Sequence, residues 1–225
     1  MVWQVAILGS AVIKTGYDLI VKNLLKKEHA SEVLLNTYLM TLPFFIFFIF
    51  KINFNLDINT YLLIILRSLL VVIGSFFLNK VLKNSDISVV APFLNLSPVF
   101  VIIVSYFMIN EVLTLIEFIG VTLLILGSFF IRHEKINSKS NQEFVKTKYF
   151  GFLIITLIFW AIAVTLSKPI LQKTTLINTL FLVTIFSIFF ALIIELIEDK
   201  KIKFVKDIKK DPLKLIGSSS TNFLY

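Results

Sequence analysis

The stretch Ile87-Ser88-Val89-Val90-Ala91-Pro92-Phe93-Leu94-Asn95-Leu96-Ser97-Pro98-Val99-Phe100-Val101-Ile102-Ile103-Val104-Ser105-Tyr106-Phe107-Met108-Ile109 runs for 23 residues without a charged side chain. Wound as a helix at about 1.5 Å per residue, it is long enough to cross the roughly 30 Å of hydrocarbon in a bilayer. A helix of a soluble bundle carries a polar stripe at every turn, and Val99 to Phe107 has almost none. Lipid is its solvent. Pro92 and Pro98 lie inside the run, and each lacks an N–H, which frees a carbonyl one turn earlier, at Ser88 and Leu94. In lipid a freed carbonyl needs a partner or water, so a helix broken in this way faces other helices or a cavity.

Outward from this stretch the pattern repeats. Apolar runs set against charged breaks give spans near Trp3–Val21, Val33–Phe50, Tyr61–Asn79, Ile87–Ile109, Val112–Ile131, Tyr149–Leu166 and Leu176–Ile197. The expected fold class is an all-α integral membrane bundle of about seven complete transmembrane helices. Asp211-Pro212 then reads as a further helix start, with Asp as N-cap and Pro at the first position, so an eighth helix begins before Tyr225. Composition agrees: 57% of the 225 residues are hydrophobic, 24 are Phe and 16% are charged, with mean hydropathy +0.91. Soluble domains carry about 25% charged residues.

The same composition excludes several classes of function. The formal charge is +8, but most of the 22 Lys and Arg sit between apolar runs, and no basic stripe lies on a polar domain that could read nucleic acid. There is no Cys, and His29 and His133 lie in separate connections without metal-ligand spacing, so neither zinc nor redox chemistry is expected. No phosphate-binding Gly loop, serine-nucleophile elbow or paired His–Glu helix occurs, so nothing calls for a cofactor or marks a catalytic centre. The first apolar stretch has no basic region before it and continues past Lys14 and Asp18, which reads as a span rather than a cleaved leader.

Arg132 to Lys148 is a long polar break and the natural seam between two halves, residues 1–131 with five helices and residues 149–225 with an incomplete set. An offset of 146 places Lys22 on Lys168, Leu25 on Leu171, Lys27 on Lys173, Leu34 on Leu180 and Phe77-Leu78 on Phe223-Leu224. Five helices per half is an odd number, so two such halves would cross the membrane in opposite directions. On that plan of ten helices, the second half is about 50 residues short.

Val81-Leu82-Lys83-Asn84-Ser85-Asp86 leads into the quoted run, and Asn110-Glu111-Val112-Leu113-Thr114, Gly120 and Gly127 follow it. The whole resembles the EamA domain of the drug/metabolite transporter superfamily, in which a helix with a Ser-Pro-Val/Phe signature is followed by a short Gly-Glu turn and a helix with two spaced glycines. Ser10, Tyr17-Asp18, Lys22 and Pro43 look like the first two helices of some members. Asn110 departs from the pattern, standing where the family usually has Gly. The resemblance implies a multi-pass carrier of the cell membrane, with ten helices in two inverted five-helix repeats and a small solute held between them near the midplane.

Read for themselves, the polar residues inside spans are the candidate site. Lys14, Asp18 and Lys22 recur at i, i+4 and i+8 with Tyr17 beside them, where opposite charges one turn apart neutralise each other. Lys22 is close enough to the span end to snorkel, but an intramembrane charge at Lys14, Asp18 or Arg67 costs at least about 2.5 kcal/mol on insertion scales. A buried ion pair and a substrate or proton site are both open. Ser88, Pro92, Asn95, Ile102 and Tyr106 fall within about 80° on a continuous helix, either as a packing seam or as a cavity wall in which Asn95 and Tyr106 meet the solute. Trp160 shares a face with Thr156, Ala163 and Ser167, as a packing group or a substrate platform. Pro92, Pro98 and Glu111 are candidate gating positions, Glu111 also reading as a cap near a helix N-terminus. Gly120 and Gly127 read as a helix-packing face.

The first, third, fifth and seventh connections hold most of the Lys and Arg, whereas the second, fourth and sixth hold only Lys51, Lys168 and Lys173. Basic connections stay in the cytoplasm, so the N-terminus is expected outside, opposite to the usual arrangement of the superfamily. The function expected is secondary transport of small metabolites, amino acids or related solutes, export included, with proton or ion coupling as an option. An inactive carrier fragment and a membrane-embedded enzyme are the alternatives. Neither the solute nor the oligomeric state is legible.

Overall fold

In the computed structural model, residue 16 and residues 18–112, 114–133 and 147–199 are described. Lys14, Tyr17, most of the first expected span and the expected helix start at Asp211-Pro212 lie outside them. Seven α-helices and one 3-10 segment are found among the described residues: α1 (Ala30–Thr41) continuing as the 3-10 segment Leu42–Lys51, α2 (Ile58–Asn84), α3 (Ile87–Leu94), α4 (Ser97–Ile109), α5 (Leu115–His133), α6 (Lys148–Leu171) and α7 (Leu176–Asp199). A helical stretch over 18–25 precedes them. Among the described residues, five segments are long and apolar enough to cross a membrane: Ala30–Phe48, Ile58–Asn84, Ile87–Ile109, Lys148–Leu171 and Leu176–Glu198.

Prolines set the irregularities. Pro43 has no N–H to give the Leu39 carbonyl, which is taken instead by the N–H of Leu42, an i to i−3 bond that tightens the chain into the 3-10 segment. The fourth expected span is two helices. Pro98 cannot donate to Leu94, so α3 closes there, and the N–H groups of Leu96 and Val99 reach back only three residues, to Phe93 and Leu96. Pro98 then stands in the first turn of α4, where its fixed φ suits a helix start. The angular stripe expected from Ser88 to Tyr106 therefore does not exist as one face, because the helix that would carry it is interrupted at Asn95-Leu96.

Asn110 ends α4 in the left-handed region (φ 51°, ψ 36°), where glycine is at ease and Asn is the usual substitute. This accounts for its standing at a family glycine. The following helix is capped not by Glu111 but by Thr114 and Glu117. The Thr114 N–H and hydroxyl both donate to Glu117 Oε2 at 2.8 Å, and Glu117 N–H returns to Thr114 Oγ1 at 3.4 Å, a reciprocal capping box.

α2 is the hub. It packs along α6 on one side and along α1 and α7 on the other, while α4 leans on α6 and α5 touches α3. Two apolar clusters hold this together. One joins Val21 and Leu25 to α1, the C-terminal half of α2, Phe93 and Ala191; the other joins Ile64 to Leu166, Ile170, Leu182 and Val183 towards the opposite end. Outward-facing side chains are apolar too, with Phe50 98%, Ile116 81% and Phe107 78% exposed, as a lipid-facing surface requires. Interior hydroxyls are satisfied within their own helices: Thr37, Ser68, Thr156, Thr165 and Thr184 each donate to the carbonyl four residues earlier.

Candidate functional site

α2 and α6 run antiparallel in close contact because α2 has a glycine where α6 has its largest side chain. A Cβ on Gly74 would lie 2.8 Å from Trp160 Cδ1, so only glycine admits the indole, and Thr156 Oγ1 donates to the Gly74 carbonyl at 3.0 Å beside it. Seven residues earlier on α2, two turns and about 10.5 Å along the axis, Arg67 meets the residue seven places later on α6. Arg67 Nε donates to Ser167 Oγ at 2.9 Å, and Ser167 passes its own proton to the Ala163 carbonyl at 3.2 Å. Arg67 and Trp160, both sequence candidates, thus lie two turns apart on one seam.

The guanidinium sits at the junction of the two apolar clusters, between Ile64 and Val72 in sequence. Its Nη1 is buried and has no hydrogen-bond partner, and no carboxylate pairs with it among the described residues. Tyr38 of α1 is its electrostatic neighbour, and the Tyr38 hydroxyl lies beside Ser75 and Ser187. Four helices, α1, α2, α6 and α7, therefore bring polar groups to one interior region around a cation that has no fixed counter-ion among the described residues.

The other candidates lie elsewhere. Asn95 is exposed at the α3–α4 break. Tyr106 is 54% exposed and lines an open, mainly apolar groove of about 340 Å³ with Ile102, Phe107 and Glu111. Glu111 forms an ion pair with Lys168 at 2.7 Å, tying the end of α4 to α6 at the residue after Ser167. Asp18 is half-buried in the 18–25 stretch. Lys22 does more than snorkel: its ammonium donates to the carbonyls of Leu82 and, at 2.6 Å, Ser85, closing the C-terminal end of α2. Pro92 and Pro98 shape the break described above. Nothing lies within 4 Å of a Cβ built on Gly120 or Gly127, so among the described residues their face carries no packed helix.

At the N-terminal end of α2, Asp57 accepts from the Thr60 hydroxyl and N–H as N-cap and pairs with Lys173 at 3.1 Å. The Thr60 hydroxyl, and after it the Lys173 ammonium, hold its carboxyl below the usual carboxylate range.

Sequence reasoning missed Tyr38 and Glu195, and it noted Ser167 only as a neighbour of Trp160. Glu195 is 1% exposed inside α7. Its signal was available, since it is an acid flanked by Ile193-Ile194 and Leu196-Ile197, and an ionisable group within a membrane span is functional by default. Tyr38 becomes visible only through its neighbours, and Ser167 gains its Arg67 partner only in the fold.

The sequence model of the EamA-like transporter family matches residues 1–132, more than half of the chain. The chain belongs to the EamA-like transporter family. Its members are transporters, so this EamA-like protein is a multi-pass transporter of the cell membrane in the drug/metabolite superfamily. Comparison with curated proteins and with solved structures gave no match.

Proposed function

We propose that this EamA-like protein is a secondary carrier of small metabolites bearing an acidic group, amino acids or related solutes, with Arg67 holding that group. The observation carrying this reading is the buried Nη1 of Arg67, unpartnered while Nε is held by Ser167. A guanidinium kept inside a bundle at substantial desolvation cost, with one edge anchored and another unused, suits bidentate or charge-assisted binding of an arriving carboxylate. Tyr38 and Trp160 supply a hydroxyl and an indole within the same four-helix region. Lys14, Tyr17 and Asp18 of the first span are the remaining candidates for contact with the solute, Asp18 suiting its ammonium end.

Alternating access follows if residues 149–225 begin a second repeat, inverted relative to residues 1–131, so that the seam around Arg67 opens to each side in turn. The absence of any catalytic constellation among the sequence motifs favours transport without chemistry. The test is flux of the twenty amino acids and short organic acids in proteoliposomes. Arg67→Gln and Arg67→Lys should leave the membrane-inserted amount unchanged and raise KM for the transported solute, Lys less than Gln, because a point charge lacks the guanidinium's planar fork. Flux unaffected by Arg67→Gln would end this reading.

A further inference from the structure

Interior hydroxyls in this protein bond to carbonyls of their own helices, which makes the exceptions informative. At the end of the bundle where α2 and α7 finish, together with the start of α1, Ser31 Oγ and both carboxyl oxygens of Glu195 are buried without a hydrogen-bond partner. Their residues are 0% and 1% exposed.

The helix register puts them on one interface. α1 and α7 run in opposite directions, with Phe45 against Phe181 at 5.4 Å between ring centroids and Tyr38 beside Ser187. Ser31 lies seven residues before Tyr38, two turns along the same face of α1. Glu195 lies eight residues after Ser187, at the matching depth on α7, with Ala191 (0% exposed) between them. Asn79 Nδ2 donates to the Ala30 carbonyl at 3.1 Å and so fixes the start of α1 against α2 at this level.

We propose that Glu195 is a proton-carrying site in the α1–α7 seam, separate from Arg67, and that it couples proton movement to transport. The coupling clause rests on the carrier reading above; the proton site does not. A carboxylate buried at this depth without a donor carries an uncompensated charge, whereas the neutral acid is far less costly to bury. Among the described residues, the lysines near this end of the bundle have other partners. Lys80 of α2 is engaged with Glu198 at 2.7 Å and lies over the Phe76 ring, Lys83 donates to the Glu28 carbonyl, and Lys148 of α6 lies over the Tyr149 ring. Glu32 and His29 stand at the start of α1, at the same end of the bundle. The carboxyl group exchanges its proton with water when α7 parts from α1 and is sealed from water while the seam is closed, so opening on one side and proton exchange become one event. No bond other than the carboxyl O–H forms or breaks.

The experiment uses the whole chain reconstituted in lipid, with the proton as probe. Infrared difference spectra between acid and alkaline buffer should contain the C=O stretch of a buried carboxylic acid; this band should vanish in Glu195→Gln and survive in Glu111→Gln, where the acid is exposed. The Gln variant is isosteric and neutral, and its melting temperature in lipid should match the wild type. A band unchanged in Glu195→Gln would overturn the site, as would its displacement by sodium at constant pH. In vesicles loaded with a pH dye, an amino-acid mixture should dissipate a pH gradient through the wild type, and Glu195→Gln should lose this while retaining solute counterflow. Gradient dissipation intact in Glu195→Gln would overturn the coupling. Failure of the carrier reading looks different: counterflow absent from the wild type, with the infrared band still removed by Glu195→Gln.

Discussion

Single residues in this protein answer to their backbone before they answer to their chemistry. Asn110 has φ 51°, so Asn110→Gly should be neutral or slightly stabilising, while Asn110→Val should cost about 1–2 kcal/mol in detergent unfolding, since a β-branched side chain crowds the carbonyl in the left-handed region. Equal stability of both variants would show that the turn relaxes out of this conformation. Asp57 tests charge instead. Its pKa is depressed below the ordinary 3.8, so its contribution is fully present above 3.8 and is lost as pH falls through the lower folded value. Asn is an equally good N-cap. Asp57→Asn should therefore melt below the wild type at neutral pH, with the gap closing in acid below 3.8; a gap independent of pH would mean the carboxylate charge is not the cause. Arg67 was legible from sequence as a charge in a span, and its partner Ser167 was not, because nothing in either run fixes which turn of α6 faces which turn of α2.

At the level of elements, the sequence located the helices well and their interruptions partly. Ile87–Ile109 was recognised as one crossing with two prolines, and the crossing is there. The polar stripe drawn along it was not, because the 100° rule assumes an unbroken helix and Pro98 ends one and starts another. Trp160 was weighed between packing and solute contact, and Gly74 shows the contact it makes: the pair fixes the distance between α2 and α6. Helical Gly→Ala normally gains about 1 kcal/mol. Gly74→Ala should instead destabilise by about 1–3 kcal/mol through overpacking against the indole. In a Trp160→Leu background the same change should turn favourable, and a penalty that persists there would place the obstruction in the backbone. The α5 cap offers a simpler check. Thr114→Ala should cost about 1 kcal/mol in unfolding, with loss of helix signal confined to α5.

For the molecule as a whole, the apolar runs alone established a multi-pass bundle, because a bilayer sets both the length and the polarity of what crosses it. The arrangement of helices around α2 was beyond reach, since in lipid all outward faces are as apolar as the packed ones and periodicity loses its meaning. Orientation remains a matter of charge. A reporter inserted at Ser140 should be cytoplasmic and one after Lys51 external; the reverse would align the chain with the usual arrangement of its superfamily. Lys22 gives this charge count a second significance. The ammonium counted toward that bias is also bonded to the Leu82 and Ser85 carbonyls at the end of α2, and Lys83 is likewise bonded to the Glu28 carbonyl. A lineage could not trade these lysines away to reverse its direction of insertion without unravelling a helix terminus in the same step. At these two positions the charge that biases insertion and the group that closes a helix end are the same ammonium.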